Sequence, residues 1–234
     1  MAEVMGVLPA TAFRAARALR ERSISLWPQG SQGRRQEAHV TVGHCVNLAL
    51  AIATADPMTD APNTVRRYRS LVEGELRIFD HDRRDTPRVT RECVATPGVG
   101  TLAPLFSNYG NTLGKHLEGL LMALSDTGNQ AQGDLRHVEE FELEITVGPL
   151  PQAVLVFDLW TGDAGYRTER QTYTPPRPVQ AAPGMVTVKT IPFSVFEVMA
   201  ALPGPVSPGS PNRRQGDRGF LHPDDAASRP HVQG

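Results

Sequence analysis

The chain has 234 residues, 40% of them hydrophobic, and its formal charge of −1 excludes any chain-wide electrostatic pull toward a polyanion. That length holds one large domain or two small ones with a real core. Its two cysteines, Cys45 and Cys93, lie far apart without a CxxC partner, which argues against a disulfide framework and for a reducing cytosol. The longest apolar run, Val46 to Ala53, is broken by Asn47 and too short to span a bilayer, and the start lacks the pattern of a signal peptide. A soluble, cytoplasmic protein without a membrane partner is expected. Charge is nevertheless unevenly spread. Residues 1–72 carry nine arginines against five acidic residues, whereas residues 73–160 carry seven basic and fourteen acidic ones. A basic head on an acidic middle suits a protein in which only the head meets nucleic acid.

In chain order, Ala2 to Gly6 reads as a short helix ending in a tight turn, with Gly6 supplying the positive φ. Leu8 to Arg20 reads as a second helix. Ala12, Ala15 or Ala16, and Leu19 share its inner face, and Arg14, Arg17 and Arg20 take the others. Arginines on an outer face are what a helix lying in a phosphate-lined groove needs. From Ser25 to Trp27 and from Ala38 to Val42, strand-like edges flank a glycine-rich loop tipped by Arg34 and Arg35, a candidate hairpin wing. His44 to Ala55 is an apolar helix capped near Thr41 or Gly43 and ended at Asp56-Pro57. A further helix begins near Asp60-Ala61-Pro62, with Val65, Tyr68 and Leu71-Val72 inward and Arg66, Arg67 and Arg69 outward.

Glu73-Gly74 reads as a domain boundary. Beyond it, Glu75–Asp80 and Val89–Val94 read as strands joined by a charged turn from His81 to Pro87. Thr112 to Leu124 reads as a helix whose leucine stripe is core rather than a coiled-coil seam, being shorter than two heptads. Phe141, Leu143, Ile145 and Val147 alternate with Glu140, Glu142, Glu144 and Thr146, the pattern of a strand with one wet face. Ala153–Trp160 and Tyr166–Tyr173 extend it into a meander, Met185–Thr190 adds a strand, and Phe193–Leu202 a closing helix. Residues 203–234, rich in proline, glycine and charge, read as a disordered tail. The fold class expected is therefore α+β: a winged helix-turn-helix head over 1–72, an antiparallel-sheet and helix domain over 73–202 for dimerisation or ligand sensing, and the tail.

Sites of chemistry are few. His39, His44 and Cys45 lack a further ligand nearby, so a capping or core role is favoured over a metal. Asp80-His81-Asp82 has the composition of a divalent site or catalytic dyad but sits beside Arg83, Arg84 and Asp85, where a solvated charged turn is favoured. Gly98-Val99-Gly100 is an incomplete phosphate-loop match, and no nucleophile elbow is present. No cofactor or metal is expected.

On these residues the head resembles the winged helix-turn-helix regulators of bacteria and phages. Ala2 and Gly6 are similar to the alanine and turn glycine of that motif, and Thr11, Phe13, Ala16 and Leu19, running into Leu19-Arg20-Glu21-Arg22, to its second helix. The chain departs in lacking the usual helix before Ala2 and in carrying Pro9 at the second helix's start. The Leu-Arg-Glu then Gly-Arg pattern also resembles products of proteobacterial prophages. The resemblance implies that Thr11, Arg14 and Arg17 face double-stranded DNA, with Arg34 and Arg35 at the wing tip. It implies a phage or prophage-type transcriptional regulator, acting as a homodimer because a second half-site is needed for useful affinity. Alternatives are a phage DNA-packaging or assembly protein using the same head, and a small enzyme built around Asp80, His81 and Asp82.

Overall fold

The computed structural model describes residues 6–22, 26–27, 40–81, 89–95, 100–125, 135, 137–161, 165–177 and 184–201. Helices and one antiparallel sheet make up the fold, as the α+β reading requires. The helices are α1 (Pro9–Arg22), α2 (Val42–Thr54), α3 (Ala61–Arg69), the short α4 (Ala103–Ser107), α5 (Leu113–Ser125) and α6 (Phe193–Ala200). The strands are β1 (Val72–His81), β2 (Val89–Ala95), β3 (Val138–Val147), β4 (Gln152–Trp160), β5 (Tyr166–Thr174) and β6 (Thr187–Pro192). They form a six-stranded sheet in the order β2-β1-β5-β4-β3-β6. The expected β3–β4–β5 meander lies at its centre. The β1–β2 hairpin extends one side through β5, and β6 pairs with β3 on the other.

Alternation along each strand decides which face is covered. One register row runs Leu76, Gln171, Leu155, Leu143, Ile191, and all five side chains are buried. Phe141 and Phe157 belong to the same face and meet Phe193 and Phe196 of α6 and Phe106 of α4. The opposite face carries Glu142 and the Glu144–Arg170 ion pair. The helices thus lie on the apolar face, and the glutamates of β3 mark the wet one.

The N-terminal helices belong to the same core. The apolar α2 is buried along nearly its whole length and packs on α1, α3 and α5 as well as on β3 and β6. The expected boundary between residues 72 and 73 falls inside β1, where Val72 and Glu73 pair with Thr174 and Tyr173. One continuous cluster joins Ala15 and Leu19 of α1 to Leu143 and Phe157 of the sheet. The leucine stripe of α5 enters this core through Leu113, Leu117, Leu120 and Leu121. Residues 202–234, which contain the expected tail, lie outside the described residues.

Candidate functional site

The helix read as the DNA-contacting one is present as α1. Gly6, at φ +63, turns the chain just before it, as its sequence position suggested. Ala15 and Leu19 are fully buried, with Ala12, Ala16 and Ala18 half-buried beside them. Burying Leu19 alone is worth about 1.5–3 kcal/mol, enough to hold this face down. Arg14, Arg17 and Arg20 are exposed. Spaced three apart, they sweep about 120° of the helix circumference. Phe13, 69% exposed, shares that outer surface. Thr11 is half-buried at its margin. The Arg17 guanidinium meets Glu21 at 2.5 Å one turn on.

The apolar helix and the helix after it are present as α2 and α3, but the wing is placed differently or not described. Residues 1–5, 28–39, and with them Arg34 and Arg35, lie outside the described residues. The wing's expected edges do not extend as far as read from the sequence. Leu26 and Trp27 form no strand, and Thr41 and Val42 belong to a helix start, Thr41 as N-cap and Val42 as the first residue of α2. The cause is local. The Thr41 side chain accepts from the His44 N–H, while the Thr41 N–H donates to His44 Nδ1, a reciprocal capping box that ends extended structure there. His44 is therefore a capping residue, as favoured over a metal ligand.

Asp80 and His81 are not brought together. Both lie in β1, where neighbouring side chains take opposite faces. Asp80 accepts from Arg167 Nε at 2.8 Å, whereas His81 Nε2 lies 3.2 Å from Thr168 Oγ1. Asp82 lies outside the described residues. The strand runs one residue beyond its expected end, so its pleat separates Asp80 from His81, and His81 belongs to β1 rather than to the charged turn.

Two polar constellations escaped the sequence reading. The first lies where α2, α3 and α5 meet. Arg69, expected outward, is instead turned in. Its Nη2 donates to Glu118 Oε1, and its Nη1 to Asn47 Oδ1 at 2.9 Å and to the Gly43 carbonyl at 3.5 Å. Lys115 Nζ holds the other Glu118 oxygen at 2.9 Å. The cause is non-local: Leu113 N–H bonds to the Leu71 carbonyl and Glu73 N–H to the Asn111 carbonyl, clamping the end of α3 to the start of α5. Gly114 makes room there, since a Cβ would come within 2.9 Å of the Arg69 stem. Burial alone would raise the Glu118 carboxyl, but hydrogen bonds and charge from Arg69 and Lys115 hold it below its ordinary value of 4.5. Burial, reinforced by the Arg69 charge, lowers His44 below 6.5.

The second constellation is a buried polar seam under the sheet. His116 of α5 stacks on Phe106 with ring centres 4.2 Å apart and planes 9° apart. Its Nε2–H donates to the Gly110 carbonyl at 2.5 Å, so the Tyr173 hydroxyl, 2.7 Å away, donates into Nδ1. Burial lowers His116 below 6.5 even though the Gly110 bond favours its cation. Tyr173 is pushed well above 10 by burial and by nearby Glu73, itself raised by burial. Beside this seam, Glu169 accepts from the Thr101 N–H and hydroxyl, the latter at 2.6 Å. Glu73 and Glu169 both line a small cavity of about 20 Å³, room for a water.

A signal for the first constellation exists in the chain: Thr41-Val42-Gly43-His44 and Thr112-Leu113-Gly114-Lys115 are the same opening, threonine, apolar residue, glycine, basic residue, at two helix starts. Among the described residues no group of three or more His, Cys, Asp or Glu side chains is placed to hold a metal ion. None of the described helices is long and apolar enough to cross a membrane. Comparison with protein-family models, with curated proteins and with solved structures finds no match in any of the three.

Proposed function

We propose that the protein binds double-stranded DNA through the outer face of α1. The observation that carries this reading is the exposed row Arg14, Arg17 and Arg20 on a helix whose opposite side is anchored by Ala15 and Leu19. A rigid helix presenting guanidinium groups loses little freedom when phosphates arrive, and guanidinium suits bidentate contact with them. The Arg17–Glu21 pair is no obstacle, because an exposed pair is weak and a phosphate competes with it. In this reading Thr11 stands at the groove edge, and Arg34 and Arg35 add contacts by their place in the sequence. The protein then acts as a phage or prophage-type transcriptional regulator, as a cytoplasmic homodimer on paired half-sites.

Gel retardation of DNA by the full chain, repeated across salt concentrations, tests it. Binding should weaken steeply with salt, and Arg14→Ala with Arg17→Ala should flatten the slope of log K against log salt by about two. Retardation and salt slope unchanged in that double variant would remove α1 from DNA recognition. Light scattering gives the assembly: a dimer fits regulation, whereas a ring-shaped oligomer favours the packaging or assembly role.

A further inference from the structure

We propose that the cleft between α2, α3 and α5 is a binding site for a small organic anion, held by its carboxylate or phosphate group. The inference does not rest on the DNA-binding reading, since it uses none of the α1 residues. The cleft encloses about 380 Å³, within the size range of small-molecule sites. Leu26, Val42 and Met122 line part of it and offer an apolar wall to the body of a ligand.

Its polar groups are arranged with donors to spare. Arg69 and Lys115 set two positive charges against the one carboxylate of Glu118, so the cleft keeps a surplus positive charge after its internal pairing. Arg69 is committed to Glu118, Asn47 and Gly43 and acts as the floor. Asn47, almost fully buried, is locked in turn by donating to the Leu26 carbonyl at 2.8 Å. Lys115 spends one of its three N–H bonds on Glu118 and keeps two at the mouth. His44 accepts from the Thr41 N–H at Nδ1, so its ring proton sits on Nε2, and that N–H has no hydrogen-bond partner among the described residues. The first turn of α2, at Val42 and Gly43, adds the partial positive charge of a helix start. An incoming anion thus meets a neutral N–H donor, an ammonium group and a helix terminus, with the neighbouring carboxylate already neutralised by two cations. The close fit of Arg69 against Gly114 keeps that neutralised pair in place.

The test titrates the full chain with inorganic phosphate and, separately, with acetate at constant ionic strength, following the His44 ring by NMR. Saturable shifts at His44 are expected, and the tighter of the two ions identifies the ligand's charged group. Lys115→Gln should weaken the tighter ion by about 10-fold, the worth of one charge-assisted hydrogen bond. His44→Gln places a glutamine at the third helical position, where it serves the capping box, and should weaken binding as well; for this variant the amide shifts of Val42 and Gly43 give the readout. The Arg14→Ala, Arg17→Ala protein should bind as wild type does. The assignment is overturned by shifts that grow linearly without saturating for both ions, by undiminished affinity in Lys115→Gln, or by binding that disappears with the α1 arginines.

Discussion

Arg17 and Arg69 both come from the arginine-rich first third of the chain, and each is paired to a glutamate, yet they do opposite things. The Arg17 and Glu21 side chains are 64% and 53% exposed, joined across one helical turn and washed by solvent. Those of Arg69 and Glu118 are 21% and 17% exposed, and they join two helices. A surface pair of the first kind contributes little because water and salt screen it. Breaking a pair of the second kind strands a charge where water cannot fully solvate it. Arg17 is therefore held only by a solvent-washed pair, whereas Arg69 is part of the scaffold and of the cleft it floors.

The sharpest way to break that comparison is Arg69→Ala, expected to lower the free energy of unfolding by about 3 kcal/mol in urea melts at neutral pH. Adding Glu118→Gln in the same protein should recover part of the loss, because it removes a carboxylate that Lys115 alone would then balance. A loss below about 0.5 kcal/mol would put the cleft pair on a par with a surface one. Next in size is Tyr173→Phe, which leaves the buried Nδ1 of His116 without its donor and should cost about 1–2 kcal/mol.

Acidification probes the same interior. His44 and His116 both have folded-state values lowered from 6.5, so the unfolded chain binds protons first and stability is lost as pH falls below that value. Each histidine contributes a slope of at most about 1.4 kcal/mol per pH unit. Thermal melts across this window should show His116→Gln with the shallower dependence on pH; an identical dependence would mean that the ring titrates freely. The smallest expected stability effect belongs to Arg14→Ala and Arg17→Ala, each within about 0.5 kcal/mol in urea melts. A larger loss would show that these side chains support the fold and are not free for DNA.

The two regions also differ in how far they were legible beforehand. The faces of α1 followed from helical spacing, because Ala15 and Leu19 stand on one side of a single local element and Arg14 and Arg17 on another. The same holds for β3, whose glutamates alternate with Phe141, Leu143 and Ile145, and for the leucines of α5. The separation of Asp80 from His81 was nearly within reach, since extending the strand by one residue already sends the two side chains to opposite faces. Arg69 was not legible. Within α3 it reads as an outward residue, and only the pairing of residues 71 and 73 with 113 and 111 brings it against Gly114 and Glu118.

Periodicity and capping chemistry act over one or two turns, so the chain's own order of residues determined where most of the helices and the central strands form, which side of each is apolar, and that an exposed arginine row stands near the start. What the tertiary structure alone decided is which strands become neighbours, that β1 lies beside β5, that the N-terminal helices share the core of the sheet, and that polar residues of α2, α3 and α5 line one cleft. Those outcomes depend on contacts between residues tens of positions apart. The free energy of such a contact is set by burial and partner geometry, neither of which is a property of any short stretch of sequence.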